Sequence, residues 1–255
     1  MPGLTALLIG SLVLSGAHAS PTSFTSFAPE YVALGDSYAA GVGTPGSAGH
    51  CGQSPDAYPS LYAQQQRFPD ARLEACGGAS AGDVVDNQLA DLSAGTSFVT
   101  ITVGGTDAGF SDVMTTCVLG GDSACVDKVH AAEGVVNGPL GGDVARTFAA
   151  IRQQAPNAKL VVLGYPHVVE AGGVCSLSTA KRAALNEGSD QLADVLRDQA
   201  VKAGATFLDA RPAFAGHGYC ASDPWINGVT LPDVSGSFHP NAEGQRLGYL
   251  ALLSG

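Results

Sequence analysis

The sequence predicts an α/β protein in which a five-stranded parallel sheet lies between two layers of helices, a three-layer α/β/α sandwich. Short apolar and β-branched runs alternate with longer helical stretches along the chain. Two runs, 97–103 and 159–163, are almost continuously apolar or β-branched, as expected of strands covered on both faces. With 255 residues, of which 45% are hydrophobic and 14% charged, the chain is long enough for one sizeable core.

Five segments carry the strand signal, being short, rich in apolar or β-branched residues and separated by longer intervals. They are Tyr31–Leu34, Arg72–Ala75, Ser97–Val103, Lys159–Leu163 and Thr206–Asp209. We expect helices to occupy the intervals between them, as parallel strands require crossover connections.

The clearest helix is predicted over Thr179–Ala203, where apolar residues recur every three or four positions, with Ser178 as the cap at its start and Gly204 at its end. Further helices are predicted over Ala57–Gln66, Gly142–Gln154 and Ala242–Leu253. Gly, Pro, Ser and Asp are frequent in three stretches that we predict to be long loops, 41–56, 117–142 and 210–238. Long loops in a compact domain commonly carry function.

An apolar run over residues 4–14 precedes Ala17-His18-Ala19, which offers a cleavage site after Ala19. The run is shorter than the roughly 20 residues of a membrane span. We therefore expect residues 1–19 to be a signal peptide, residues 20–255 to form a single domain, and the protein to be secreted, without a stable membrane span. The alternative is a buried N-terminal segment of the fold, although no helix cap or amphipathic period accompanies the run.

The formal net charge is −11 and no run of Lys or Arg is present, which argues against binding of nucleic acid or anionic lipid. Six cysteines are present: Cys51, Cys76, Cys117, Cys125, Cys175 and Cys220. Without a C-x-x-C pair or a cluster of Cys and His, we expect neither a metal nor another cofactor. Secretion favours disulfides, but the sequence does not choose among the possible pairings. Disulfide pairing in chain order would close a small loop at 117–125 and two larger loops.

Ser37 follows the first predicted strand in the segment GDSY at 35–38, which places it at the carboxyl edge of the sheet, where open α/β sheets bind ligands. A serine hydroxyl becomes a nucleophile only when a base takes its proton. Among the six histidines we favour His239, which precedes the last predicted helix, with Pro240 expected at the first helical position. The others are His18, His50, His130, His167 and His217. A plain turn at 35–38 is the alternative.

Four segments together resemble the blocks of the SGNH (GDSL) hydrolases. They are Gly35-Asp36-Ser37-Tyr38, Gly77-Gly78, Gly104-Gly105-Thr106-Asp107 and Phe238-His239-Pro240-Asn241. Their order and spacing match across nearly the whole chain after residue 19. The cysteine layout and the segment Asp107–Phe110 are similar to the secreted actinobacterial lipases and phospholipases of that family. The resemblance implies a flavodoxin-like sheet and a monomeric hydrolase of lipid or small acyl esters.

The resemblance implies roles for individual residues. Ser37 would attack the ester carbonyl, and His239 would act as general base and then as acid. The backbone N–H groups of Ser37 and Gly78 would hold the oxyanion, with Gly77 as the neighbouring alternative. Where the family has an asparagine as third donor, this chain has Thr106, so we expect a weakened oxyanion hole and slow ester hydrolysis. Alternatively, Thr106 is only a strand-end residue whose hydroxyl bonds local backbone.

The family's acidic residue stands three positions before the histidine, and that position is Gly236. In some relatives a backbone carbonyl two residues before the histidine orients the imidazole, which corresponds to Ser237 here; Asp233 is the competing candidate. We expect Asp36 and Asp107 to accept backbone N–H bonds as Asx-type turns do. Five aromatic side chains are expected either to line an acyl-binding cleft or simply to pack: Tyr38, Phe110, Tyr165, Trp225 and Phe238.

Three other functions stay open at this point. After Ser37 has attacked an ester, the acyl group that it carries could pass to an alcohol, including as a tailoring step in biosynthesis. The missing asparagine and acid could mark a catalytically impaired homologue that only binds a ligand. A carbohydrate deacetylase is a further alternative, which we rank lower because the sequence contains no obvious sugar-binding module.

Overall fold

In a computed structural model, which describes Gly3, residues 30–231 and residues 234–255, the predicted sandwich is confirmed. Apart from Gly3, the predicted signal peptide lies outside the described residues, and so does Asp233. All strand pairs are parallel, and the sheet has the order β2-β1-β3-β4-β5, the flavodoxin-like order. The strands are β1 Tyr31–Gly35, β2 Ala71–Leu73, β3 Phe98–Thr102, β4 Lys159–Leu163 and β5 Thr206–Leu208.

Helices fill the intervals between the strands and follow the last one. They are α1 Ser37–Ala40, α2 Tyr58–Gln66, α3 Ala81–Asn87, α4 Phe110–Leu119, α5 Asp122–Val135, α6 Gly141–Gln154, α7 Thr179–Lys202, α8 Ala210–Ala213 and α9 Ala251–Ser254. Two π-helical segments, Val136–Leu140 and Gly244–Leu250, precede α6 and α9. Ser178 caps α7 as predicted, accepting the N–H of Lys181.

The register of the central strands places the catalytic candidates at one edge. Tyr31 pairs with Phe98 and Gly35 with Thr102, so β1 and β3 run side by side and end together. Every residue of both strands is buried, which explains their nearly continuous apolar and β-branched sequence. The segments that follow β1 and β3, which contain Ser37 and Thr106, therefore emerge beside each other at the carboxyl edge.

The prediction of a long loop over 117–142 is wrong, since the chain there forms the end of α4, α5 and a π-helical segment. Cys125, Val129 and Val136 are buried, and their spacings of four and seven residues place them on one helical face. Leu140 is also buried and follows a kink at Gly138. The six glycines within 117–142 obscured that period. Lys181 satisfies carbonyl groups at the end of α4, because its ammonium donates to the carbonyls of Cys117 and Gly120.

Three disulfides join the six cysteines in chain order: Cys51–Cys76, Cys117–Cys125 and Cys175–Cys220. The first ties the loop after α1 to the segment after β2, where the N–H of Gly77 also donates to the Cys51 carbonyl. This disulfide therefore holds together two loops at the sheet edge that carries Ser37.

The described part of the chain contains neither a membrane-spanning helix nor a cluster of metal ligands. Within residues 30–231 and 234–255 no helix combines the length and apolar character needed to cross a membrane. The same residues contain no group of three or more His, Cys, Asp or Glu side chains arranged to hold a metal ion.

Candidate active site

Ser37 and His239 meet across the carboxyl edge of the sheet although 202 residues separate them, with 2.7 Å between Ser37 Oγ and His239 Nε2. This is the hydrogen-bond distance that a nucleophile and its general base require. The two side chains line one cleft of ≈ 390 Å³ together with Gly77, Gly78 and Thr106. The structure thus brings together every residue proposed from the sequence for nucleophile, base and oxyanion donors.

A tight turn between β1 and α1 presents Ser37. Asp36 caps α1 by accepting the N–H of Tyr38, and Ser37 is the first residue of the helix. Gly35 has φ +127°, and a Cβ there would lie 2.1 Å from the carbonyl oxygen of Thr102 on β3. Only glycine therefore allows β1 to end this close to β3 while the chain turns and exposes the serine.

The imidazole of His239 is oriented by its own loop. Nδ1 lies 3.0 Å from the carbonyl oxygen of Ser237, and the Tyr38 hydroxyl donates to the carbonyl of Phe238 at 2.8 Å. Phe238 has φ +60°, a left-handed conformation that is uncommon for a bulky residue and indicates a backbone held by its surroundings. Asp233, the alternative partner of the imidazole, lies outside the described residues.

Burial lowers the pKa of His239 to about 4, and the hydrogen bond to the Ser237 carbonyl opposes this only in part. The ring packs against Tyr38 and Phe110, with centroid distances of 5.1 and 5.8 Å. The imidazole is consequently neutral over most of the pH range and can accept a proton from a hydroxyl.

Three hydrogen-bond donors face the cleft without a protein acceptor in the described part of the chain. They are the backbone N–H groups of Ser37 and Gly78 and the hydroxyl of Thr106. The Gly77 N–H, by contrast, donates to the Cys51 carbonyl at 2.8 Å, which removes the alternative considered from the sequence. Free donors in the same cleft as a nucleophile could stabilise negative charge on an oxygen bound there.

Asp36 is buried, and its pKa is raised to about 7 because burial disfavours the carboxylate more than its hydrogen bonds stabilise it. Those bonds come from the Tyr38 N–H and the Tyr165 hydroxyl. Tyr165 in turn accepts the N–H of Gly105 at 2.9 Å. Through this tyrosine the turn that carries Ser37 is connected to the turn that carries Thr106.

Asp107 accepts a backbone N–H, as predicted, but the donor is distant in sequence: its carboxylate accepts the N–H of Ala81, at the start of α3, at 3.0 and 3.2 Å. Desolvation raises its pKa, opposed by that same N–H. It therefore fixes the segment after β3 to the segment after β2, which carries Gly78.

Two buried glutamines and one asparagine support the site and were not singled out from the sequence. Gln88 bonds both the N–H and the carbonyl of Gly35, and the Gln245 amide donates to the Tyr38 carbonyl. Asn227 donates to the carbonyls of Gly43 and Gly236. Glutamine is mostly exposed in proteins, so nothing in the sequence selects these two glutamines. Their burial, which the sequence does not show, is the signal that identifies them.

The last helical segment also differs from prediction. Asn241 caps it, since its side-chain oxygen accepts the N–H of Gly244 at 2.9 Å. Pro240 therefore precedes the cap and does not occupy the first helical position. It pairs instead with Ile226 in an antiparallel bridge, which anchors the histidine loop.

Two apolar spaces adjoin the cleft. A small pocket of ≈ 80 Å³ shares Tyr38, Phe110 and Tyr165 with the cleft and continues between α4, α5 and α7. A surface groove of ≈ 360 Å³ begins at His239 and Phe238 and runs outward along α4. Four of the five aromatic residues considered from the sequence thus line these spaces. Trp225 is the exception, as it stacks on His217 with 3.6 Å between ring centroids.

Comparison with known proteins agrees with this geometry. The model of the GDSL-like Lipase/Acylhydrolase family matches residues 33–247, most of the chain and all four blocks. The chain belongs to this family. It is therefore a carboxylic ester hydrolase by membership, as predicted from the sequence.

Individual family members are similar over nearly their whole length. Lipase 1 of Streptomyces coelicolor and a lipase of Streptomyces rimosus are each 42% identical, covering 98% and 97% of this chain and 94% of each relative. Among solved structures, phospholipase A1 of Streptomyces albidoflavus superimposes with a TM-score of 0.86 at 40% identity, over 89% of this chain and 98% of that one. The extracellular lipase of S. rimosus gives 0.86 at 43%, over 89% and 99%.

Proposed function

We propose that this family member cleaves lipid or small acyl esters with Ser37 as nucleophile and His239 as base, through an acyl-enzyme. The observation that carries the proposal is the 2.7 Å distance between Ser37 Oγ and His239 Nε2 in a cleft that also receives unpaired N–H donors. The names of the relatives, lipase and phospholipase A1, support the lipid part of the proposal.

The reaction runs in two halves. Ser37 Oγ attacks the carbonyl carbon while its proton passes to His239 Nε2, and the tetrahedral oxyanion accepts hydrogen bonds from the N–H groups of Ser37 and Gly78 and from Thr106. The intermediate collapses as His239 protonates the departing alkoxide, which leaves as an alcohol. Water then attacks the acyl-enzyme, gives its proton to His239 and releases the acid, and His239 returns the proton to Ser37.

The imidazole needs an acceptor for its Nδ1–H to keep the productive tautomer, and we assign that role to the Ser237 carbonyl at 3.0 Å. A neutral acceptor suffices to orient the ring, although a carboxylate would stabilise the imidazolium better. With a hydroxyl in place of the amide at Thr106 as well, the enzyme has weaker transition-state stabilisation than relatives that possess both groups.

We also propose that residues 1–19 are a signal peptide, that residues 20–255 form one catalytic domain, and that the protein acts outside the cell. The three disulfides support secretion, because such bonds persist in oxidising compartments. So does the similarity to a lipase described as extracellular.

The test is hydrolysis of p-nitrophenyl esters from acetate to palmitate, beside phospholipid, by the wild type, Ser37→Ala and Ser111→Ala. Ser111 lines the same cleft and provides a matched control. We expect Ser37→Ala to lose at least 10³-fold in kcat, in line with other serine nucleophiles, and Ser111→Ala to stay close to the wild type. A fluorophosphonate probe should label the wild type but not Ser37→Ala; an unlabelled wild type would favour a ligand-binding homologue instead.

A further inference from the structure

A belt of exposed apolar side chains surrounds the outer end of the groove that begins at His239. Leu119, at the end of α4, is 81% exposed, and Val234 and Val229, on the loop before His239, are 61% and 47% exposed. All three line the groove, and Val118 lies beside them. We call these three residues, Leu119, Val229 and Val234, the apolar rim. Large apolar side chains grouped around a groove indicate a binding surface more strongly than the same residues scattered singly.

The described residues of the groove and its rim also include no Asp, Glu, Lys or Arg. Apart from His239, the described residues that line the groove are Phe, Met, Val, Leu, Ser and Thr. Burial lowers the pKa of His239 to about 4. This lining is unusual for a chain with 23 Asp and Glu against 12 Lys and Arg. An anionic surface would be repelled by the net charge and would find no basic partner in the groove. The chemistry of this face fits an uncharged apolar phase.

The position of the rim suggests what covers it. The groove is continuous with the cleft, as both are lined by Phe110, Ser111 and His239. An acyl chain lying in the groove would have its carbonyl near Ser37 and its far end at the rim. A substrate still embedded in a lipid aggregate can enter in that orientation only if the rim touches the aggregate surface.

We propose that Leu119, Val229 and Val234 dock the enzyme on the surface of neutral or zwitterionic lipid aggregates, an inference that rests on the proposed function. Acyl chains would then pass along the groove to Ser37. Each of these side chains loses contact with water on docking, and burying it contributes to adsorption in proportion to its apolar area.

The experiment measures co-sedimentation with phosphatidylcholine vesicles in a Ser37→Ala background, which prevents hydrolysis during binding. Leu119→Ser and Val234→Ser should each weaken vesicle binding about tenfold. Val201→Ser is the matched control: Val201 is 68% exposed near the end of α7, shortly before β5 begins, and thus at the opposite edge of the sheet. It should bind vesicles like the parent.

With Ser37 intact, the same rim variants should lose about tenfold on vesicle-borne ester and clearly less on soluble p-nitrophenyl butyrate, whereas Val201→Ser should match the wild type on both substrates. Equal vesicle binding by rim variants and parent, or an equal loss in Val201→Ser, would overturn the proposal. So would binding confined to anionic vesicles, or a dimer in sedimentation velocity that dissociates in the rim variants, since a second copy would then cover the rim. Failure of the proposed function is distinguishable, because soluble ester would then remain uncleaved by the wild type.

Discussion

The hydroxyl of Tyr165 donates to the buried carboxyl group of Asp36 and accepts the N–H of Gly105, so one side chain connects the nucleophile turn with the turn that carries Thr106. Tyr165 follows β4, the strand next to β3, and reaches both turns from the adjacent position in the sheet. The relative placement of Ser37 and the oxyanion donors therefore depends on a residue outside the four family blocks.

Tyr165→Phe is expected to lower kcat about tenfold with little change in KM. The substitution leaves the Gly105 N–H without a partner in a buried position, which costs about 1–3 kcal/mol and loosens the Thr106 turn. Steady-state kinetics on a soluble ester measures the effect. Tyr62→Phe is the control, because Tyr62 makes ring contacts with Tyr31, Phe68 and Phe98 far from the cleft. An unchanged kcat in Tyr165→Phe would show that the connection has no catalytic consequence.

The pH profile of kcat/KM should report the lowered pKa of His239. The imidazole accepts the Ser37 proton only when neutral, so activity should rise as pH increases through about 4 and reach a plateau well below the ordinary histidine pKa of 6.5. The profile is measured on a soluble ester, with near-ultraviolet circular dichroism at each pH to establish that the protein stays folded. An acidic limb centred at 6.5 or above would contradict this placement of the imidazole.

Thr106→Asn should raise kcat on a simple ester, because the longer amide side chain supplies the oxyanion donor that the hydroxyl of Thr106 provides poorly. One such donor contributes on the order of 3 kcal/mol at full effect, so we expect a gain of about tenfold or more. Thr106→Ala should lower kcat if the hydroxyl contributes. If Thr106→Asn leaves kcat unchanged, Thr106 is not the third donor.

Asp233→Ala should retain most of the activity, within about threefold in kcat, because the Ser237 carbonyl already lies 3.0 Å from His239 Nδ1. The kinetics are compared with those of Ser237→Ala, which keeps the carbonyl and should also be close to the wild type. A loss of several hundredfold in Asp233→Ala would instead make that carboxylate the third member of a triad.

The sequence predicted those parts of the site that depend on local pattern. The strand runs placed Ser37 and Thr106 at the carboxyl edge. The position of His239 before the last predicted helix favoured it among six histidines, and the block resemblance gave it a role. What the sequence missed depends on long-range packing. Gln88, just after α3, and Gln245, in the last helical segment, are polar residues for which the sequence suggests solvent exposure, yet both are buried against the turn that carries Ser37.

The wrong prediction of a long loop over 117–142 has a related cause. Gly120, Gly121, Gly134 and Gly138 lower the helix propensity of this stretch, so a local view favours a loop. Burial of Cys125 and Val129, the disulfide to Cys117 and the packing of α5 on α7 outweigh that local cost. Tertiary contacts determine whether such a segment is a helix or a loop, and a single sequence shows those contacts only indirectly.

Asp36 should make stability depend on pH in a way that a substitution can isolate. Its pKa in the folded protein is about 7, above the ordinary 3.8, so the folded state holds this proton more tightly than the unfolded state. The stability that it contributes is complete below about pH 3.8 and is lost as pH rises through about 7. Asp36→Asn cannot ionise and keeps an oxygen to cap α1. Its stability relative to the wild type should therefore increase from pH 5 to pH 8, by roughly 2–3 kcal/mol.

Urea unfolding at pH 5, 6, 7 and 8 measures this difference. His239 has the opposite sign, since its lowered pKa makes stability rise with pH between about 4 and 6.5, but it is present in both proteins and cancels. Asp86→Asn, on the exposed face of α3, controls for the general effect of removing one acidic side chain. Parallel curves for wild type and Asp36→Asn would mean that Asp36 ionises normally in the fold, and that its bond from Tyr165 offsets the whole cost of burial.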